Sequence, residues 1–274
     1  MPAAEASAPP ADLDRLRARL RELDRVVVAF SGGADSAFLA WVAHDTLGPD
    51  RSLAVTAVSP SLAPVEHDDC RSLADEWALR WRPVATAEMA NAAYRANDGD
   101  RCFHCKDALM DALEPVVTAE GATVVLGVNL DDLGDHRPGQ RAAADRGAAF
   151  PLVEAGFTKR DVRAASRALG LRTWDKPAAA CLASRLPYGT PVSTPVLRQV
   201  AEAEAALGAL GFRALRVRHY DDTARLEVPL DDLAAVLDRR EAVVAAVHRA
   251  GYRYVTLDLE GLRSGNLNAA LGER

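Results

Sequence analysis

Lysine is nearly absent from this chain. Only three of the 33 basic residues are Lys, at 106, 159 and 176, and the rest are Arg. No stretch approaches the ~18 unbroken apolar residues of a membrane-spanning helix, so no membrane association is expected. There is no excess of positive charge either. The net charge is −6 and the isoelectric point about 5.6, which argues against nucleic acid as the main partner and leaves only a local basic groove. Residues 1–11 are rich in Ala and Pro, carry Glu5 and lack a basic leader. They read as a frayed terminus and not as a secretory signal. A cytoplasmic, reducing compartment is therefore expected, and the four cysteines do not read as a disulfide framework. They must be core packing, metal ligands or nucleophiles.

What is present suits a globular enzyme. The 274 residues are 49% hydrophobic and 26% charged, enough for a real core in one large domain or two small ones. Residues 12–23 carry Leu at helical spacing. Arg25–Phe30 is a β-branched run that reads as a strand buried on both faces. Helices are expected over 36–46, 64–79, 103–120 (interrupted by Pro115) and 158–169, where Thr158 is the cap. Strands are expected over 53–58, 82–87 and 123–128. This alternation predicts an α/β fold with a doubly wound parallel sheet. Pro177, Pro187, Pro191 and Pro195 then crowd one stretch. Beyond them a helix (195–210), two strands (214–219 and 224–228), a helix (230–250) and a last strand (252–259) suggest a smaller α+β domain. The expected division is 12–190 and 191–274.

The sharpest motif is Ser31-Gly32-Gly33-Ala34-Asp35-Ser36, between a buried strand and a helix. Glycines let backbone approach a ligand, and the following helix start offers free N–H groups to an anion. Ser31 and Ser36 add hydroxyls, and Asp35 suits Mg²⁺ beside a pyrophosphate. No Lys follows the glycines, so this is not the phosphoryl-transfer loop of GxxxxGK[ST] type. The loop after strand 123–128 holds Gly127, Asp131, Asp132, Asp135, His136 and Arg137, where ligands of open α/β sheets bind.

Cys102 and Cys105 form a CxxC followed by Lys106 at an expected helix start. That spacing suits a redox pair or one edge of a metal or iron–sulfur site. Cys181 lies among small residues, with Lys176 and Arg185 expected to favour its thiolate. His104 reads as a surface residue, and Cys70 as a buried small hydrophobe. Arg216 and Arg218 share one strand face and suit a phosphate or carboxylate, with Glu227 of the next strand an alternative partner.

SGGADS resembles the loop of PP-loop ATP pyrophosphatases, which cleave ATP between its α- and β-phosphates. Together with GVNLDDLGDHRPG, RCFHCK, ACLASRLPYGT, LRVRHYDDTARLEVP and YRYVTLDLEGLRSGNLN, it resembles the LarE family of ATP-dependent sulfur transferases over about residues 12–270. The resemblance implies adenylation of the carboxylates of pyridinium-3,5-dicarboxylic acid mononucleotide and their conversion to thiocarboxylates, for the nickel-pincer cofactor of lactate racemase. It implies Ser31, Gly32, Gly33, Asp35 and Ser36 on ATP and Mg²⁺, and Arg216 and Arg218, with Ser184, on the substrate phosphate. Cys181 would be the sulfur-bearing residue. Gly127 and Asp132 are further nucleotide-side candidates, and Lys106 a candidate for stabilising developing charge. Some members have only the cysteine matching Cys181, which gives up its sulfur and becomes dehydroalanine. Cys102 and Cys105 depart from that pattern. With them the chain resembles the three-cysteine branch, which implies a [4Fe-4S] cluster held by Cys102, Cys105 and Cys181. A homo-oligomer is also implied. A tRNA thiolase, an ammonia-using ligase and a nucleotide-binding scaffold remain as competing readings.

Overall fold

A computed structural model describes residues 12–134, 138–177 and 180–263. The chain divides into two compact units. One comprises residues up to 58, 66–86 and 105–179; the other takes in 59–65, 87–104 and everything from 180. The second unit thus gathers two segments from far upstream of the division expected near residue 190.

The first unit is built on strands β1 (Val26–Ala29), β2 (Ser52–Val58), β3 (Trp81–Ala85) and β4 (Thr123–Leu126), all parallel, in the order β3-β2-β1-β4. Ala29 sits opposite both Val55 and Leu126. Strand side chains alternate between faces. Val26 and Val28 accordingly join one core with Phe38, Leu39, Leu73 and Phe157, whereas Val27 joins the other with Leu53, Leu113 and Val124. The expected doubly wound sheet is present. Strand order reverses between β1 and β4, which is where such sheets bind ligands.

In chain order the first helices are α1 (Leu13–Leu23), α2 (Ala34–Leu47), α3 (Pro64–Glu76), α4 (Ala92–Ala96), α5 (Arg101–Glu120), α6 (Pro138–Asp145), α7 (Pro151–Glu154) and α8 (Lys159–Ala168). Asp12 caps α1 by accepting from the Asp14 N–H at 2.8 Å. Pro115 lies inside α5, which continues to Glu120, so it does not interrupt the helix as expected.

The second unit contains α9 (Thr194–Ala209), strands β5 (Arg216–Tyr220), β6 (Thr223–Glu227) and β7 (Tyr254–Leu257), and helices α10 (Leu233–Asp238) and α11 (Arg240–Arg249). β5 and β6 are antiparallel, and β7 adds parallel to β6. The single helix expected over 230–250 is two. Arg239 leaves helical geometry at φ −107°, ψ 21°, and its guanidinium lies 5.3 Å from the Phe212 ring centre. In the buried layer, His219 Nδ1 and the Tyr252 hydroxyl are 3.1 Å apart.

Two glycines make opposite demands. A Cβ on Gly127 would lie 2.8 Å from the Ser36 backbone nitrogen, while one on Gly208, inside α9, would meet nothing within 4 Å. Gly127→Ala is expected to lower stability by about 1–3 kcal/mol, and Gly208→Ala to raise it by about 0.5–1 kcal/mol, read as urea midpoints. Burial holds His219 below its ordinary 6.5. Below that pH the unfolded chain takes up a proton that the folded chain resists. The contribution is therefore complete above 6.5 and is lost as pH falls towards the folded value. Stability should drop as pH falls below 6.5, and His219→Phe should flatten that dependence.

Candidate active site

The SGGADS loop connects β1 to α2. Gly32 has φ +69°, a left-handed conformation that disfavours side chains, and a Cβ there would lie 3.0 Å from Cys70 Sγ. Gly33 caps α2 with no side chain bonded to the helix start, so its first N–H groups face outward for an anion. The Ser36 hydroxyl donates to the Gly33 carbonyl at 3.2 Å and accepts from the Ser31 N–H at 3.2 Å; the two hydroxyls are 3.0 Å apart. Cys70 is fully buried, as its sequence context suggests, and burial pushes its thiol up to about 11, so it stays a neutral packing group.

The loop after β4 reaches the same strand ends. The Cα of Gly127 lies against the first turn of α2, with no room for a side chain. Asn129, fully buried, donates from Nδ2 to Asp35 Oδ1 at 3.2 Å. Asp132 Oδ2 accepts from the Asn129 N–H at 3.1 Å, so it shapes this loop. Asp131 accepts from the Lys159 N–H at 2.8 Å, at the start of α8. Asp135, His136 and Arg137 lie outside the described residues. Lys159 Nζ is 2.7 Å from Asp35 Oδ2. Asp35 therefore meets an ammonium and an amide, two partners the local motif does not reveal.

Lys176 does not serve Cys181 as expected. Its ammonium donates to Glu66 Oε2 at 2.7 Å and Asp69 Oδ2 at 2.6 Å, and these carboxylates outweigh burial and raise its affinity for the proton. Two of the three lysines thus flank one loop. Lys106 is half-buried on α5, with no carboxylate within ion-pair distance among the described residues.

In the second unit the guanidinium near Cys181 is that of Arg101. It is 5% exposed and donates to Asn97 Oδ1 at 2.5 Å and to the Ala183 carbonyl at 2.9 Å. Burial opposes its charge, and the sulfurs of Cys181 and Cys102 more than offset this. Arg185 instead holds the backbone, donating to the Ala180 carbonyl at 2.8 Å and to Glu204 at 2.9 Å. The Ser184 hydroxyl donates to the Cys181 carbonyl at 2.7 Å, closing the turn that presents the thiol.

Arg218 is only 3% exposed and is committed to the Ser184 carbonyl (2.6 Å) and Glu227 (2.9 Å). Its Nε is buried without a hydrogen-bond partner among the described residues. Arg216 is half-buried, donates to the Arg263 carbonyl at 3.1 Å and has no carboxylate at ion-pair distance among the described residues. Burial, then Arg185 and Arg218, disfavour its charge. Glu227 and Glu204 act in the opposite sense but do not outweigh these effects, and a guanidinium so placed suits an anion. Arg216 is thus the less committed of the two and Arg218 the one tied into the structure, a division the i, i+2 spacing could not give.

The donors for the implied metals fit in kind. Cysteine thiolates such as those of Cys102, Cys105 and Cys181 suit iron, and one carboxylate such as Asp35 suffices for Mg²⁺ completed by phosphate oxygens. They are not gathered: among the described residues, no three His, Cys, Asp or Glu side chains form a metal-binding group. Cys102 and Cys105 lie at the start of α5, Cys102 exposed and Cys105 half-buried. Glu227, fully buried, neutralises both Arg218 and Arg225. Glu227→Gln should cost about 3–5 kcal/mol in unfolding free energy, the effect of stranding a buried charge.

The NAD synthase family matches residues 14–111, which include the glycine loop. The chain is 44% identical over 262 residues to an uncharacterized protein of Synechocystis sp., covering 94% of this chain and 97% of that one. It is 38% identical over 257 residues to the pyridinium-3,5-bisthiocarboxylic acid mononucleotide synthase of Lactiplantibacillus plantarum, covering 93% of each. An uncharacterized protein of Methanocaldococcus jannaschii is 25% identical over 241 residues, covering 88% of this chain. With a parallel sheet, a nucleotide-type loop at its switch point and this shared sequence over almost its whole length, the chain belongs to the LarE family of pyridinium-3,5-bisthiocarboxylic acid mononucleotide synthases.

Proposed function

We propose that the protein is an ATP-dependent sulfur transferase. Its substrate is pyridinium-3,5-dicarboxylic acid mononucleotide, whose carboxylates it adenylates and converts to thiocarboxylates. One observation carries the reading. The chain offers an uncapped helix start for a nucleotide in one unit, and in the other a thiol on a turn braced by Arg218 beside the open cation Arg216.

A carboxylate resists substitution because it would have to expel oxide. ATP removes that obstacle. A carboxylate oxygen attacks the α-phosphorus, the α–β bridge breaks and pyrophosphate leaves. The SGGADS backbone and the α2 start would hold the phosphates, with Mg²⁺ on Asp35. A sulfur nucleophile then attacks the acyl carbon and AMP departs with the former carboxylate oxygen. With Cys181 as nucleophile the product of this step is a thioester. Removal of the Cys181 Cα proton and cleavage of its Cβ–S bond release the thiocarboxylate and leave dehydroalanine. Arg216 would hold the substrate phosphate, and Lys106 is a candidate for stabilising developing charge.

Cys102, Cys105 and Cys181 would be the ligands of a [4Fe-4S] cluster, which would supply a thiophilic iron able to carry sulfide. That arrangement would spare Cys181 and permit repeated turnover. The CxxC spacing of Cys102 and Cys105 at the start of α5 supports it. We further expect a homo-oligomer acting in a reducing compartment, without nucleic acid or membrane partners.

The test is product analysis with ATP and this substrate after anaerobic reconstitution, alongside iron and labile sulfide content. Wild type should form AMP, pyrophosphate and thiocarboxylate. Cys181→Ala should still release pyrophosphate while losing thiocarboxylate by at least about 100-fold, as expected for a lost nucleophile. Cys102→Ala should lose iron. A Cys181→Ala protein that makes thiocarboxylate normally contradicts the assignment. Wild type without iron removes the cluster and leaves the sacrificial route.

A further inference from the structure

The reading of SGGADS as an ATP loop leaves one question open. The phosphoryl-transfer loop GxxxxGK[ST] has a lysine directly after its glycines to reach the β- and γ-phosphates, and this loop has Ala34 and Asp35 there. We infer that Lys176 supplies that cation from far down the chain, as a binding residue for the phosphates that the loop cradles, the β- and γ-phosphates of ATP. The inference rests on that reading of the loop and goes beyond it in naming a residue the motif does not contain.

The position comes first. A Cβ on Gly32 would lie 3.7 Å from Lys176 Nζ. The ammonium therefore sits in contact range of the residue whose left-handed backbone forms the turn. Donor capacity comes next. An ammonium has three N–H donors. Glu66 takes one at 2.7 Å and Asp69 another at 2.6 Å. The third has no partner among the described residues.

The carboxylates also explain why the cation is ready. A free lysine loses much rotamer entropy on binding, and here the side chain is held before the ligand arrives. It is 18% exposed, so a new contact meets little competing water. The two carboxylates would repel phosphate if left unbalanced. Arg172 shares in balancing Asp69, donating to it at 2.8 Å and to Glu76 at 2.7 Å, while Glu66 is balanced by Lys176 itself. A compact ammonium suits a shared three-way site better than a planar guanidinium. That accounts for a lysine here in a chain that otherwise uses arginine. A purely structural role, pinning residue 176 to α3, would affect every nucleotide alike.

The experiment compares ATP and AMP binding by titration calorimetry, without the pyridinium substrate, for wild type, K176Q and E66Q. AMP lacks the phosphates in question. K176Q should weaken ATP binding by about 10–100-fold, the range for a charge-assisted contact, and change AMP binding by less than about twofold. E66Q keeps the ammonium but loosens it, and should give a smaller loss, again confined to ATP. It also serves as the test if K176Q does not fold. Equal losses for ATP and AMP, or unchanged ATP affinity in folded variants, overturn the inference. Wild type without ATP affinity overturns it together with the ATP-loop reading. Wild type that binds ATP selectively through Lys176 but never releases pyrophosphate with the pyridinium substrate upholds this inference and counts against the sulfur-transfer reading alone.

Discussion

The arrangement depends on the absence of side chains at two points. Gly32 turns left-handed against Cys70, and Gly127 brings the end of β4 onto the first turn of α2 with no space for a Cβ. These close approaches put two loops at the switch point of the sheet, beside the start of α2. A larger residue at either place would move the backbone that has to meet the phosphates. The buried strands β1, β2 and β4 make this tolerable, because their two-sided packing fixes the strand ends from which the loops spring.

Charge is handled differently in the two units. Around the nucleotide loop, cations arrive already paired: Lys159 with Asp35, and Lys176 with Glu66 and Asp69. In the second unit Arg185, Arg218 and Arg225 are also neutralised by carboxylates, and Arg216 is left over. Paired cations are held in fixed positions at little cost to stability. An unpaired one surrounded by like charges favours an incoming anion. This contrast is what supports the proposal that one unit takes the polyphosphate and the other a single phosphate group.

Much of this was legible in the sequence. The β-branched runs and their spacing gave the parallel sheet, because buried parallel strands read as unbroken apolar stretches. SGGADS gave the loop, because the glycines are required locally. What could not be read was whatever depends on distant partners. Lys159 meets Asp35 and Lys176 meets Glu66 only through the fold, so the apparent closeness of Lys176 to Cys181 along the chain misled. Nothing local to Arg101 shows that Cys181 comes near it. The i, i+2 arginines looked equivalent. Only the hydrogen bonds of Arg218 to Ser184 and Glu227 separate a supporting residue from an open one. The break at Arg239 went unseen because neither Gly nor Pro marks it.

The central claim is that oxygen leaves the substrate as part of AMP. It is tested most directly by labelling the substrate carboxylates with heavy oxygen and running a single turnover with ATP. Adenylation followed by sulfur attack requires the label in the phosphate of AMP, one labelled oxygen for each thiocarboxylate formed. Label in pyrophosphate or inorganic phosphate, or thiocarboxylate formed with unlabelled AMP, would contradict it.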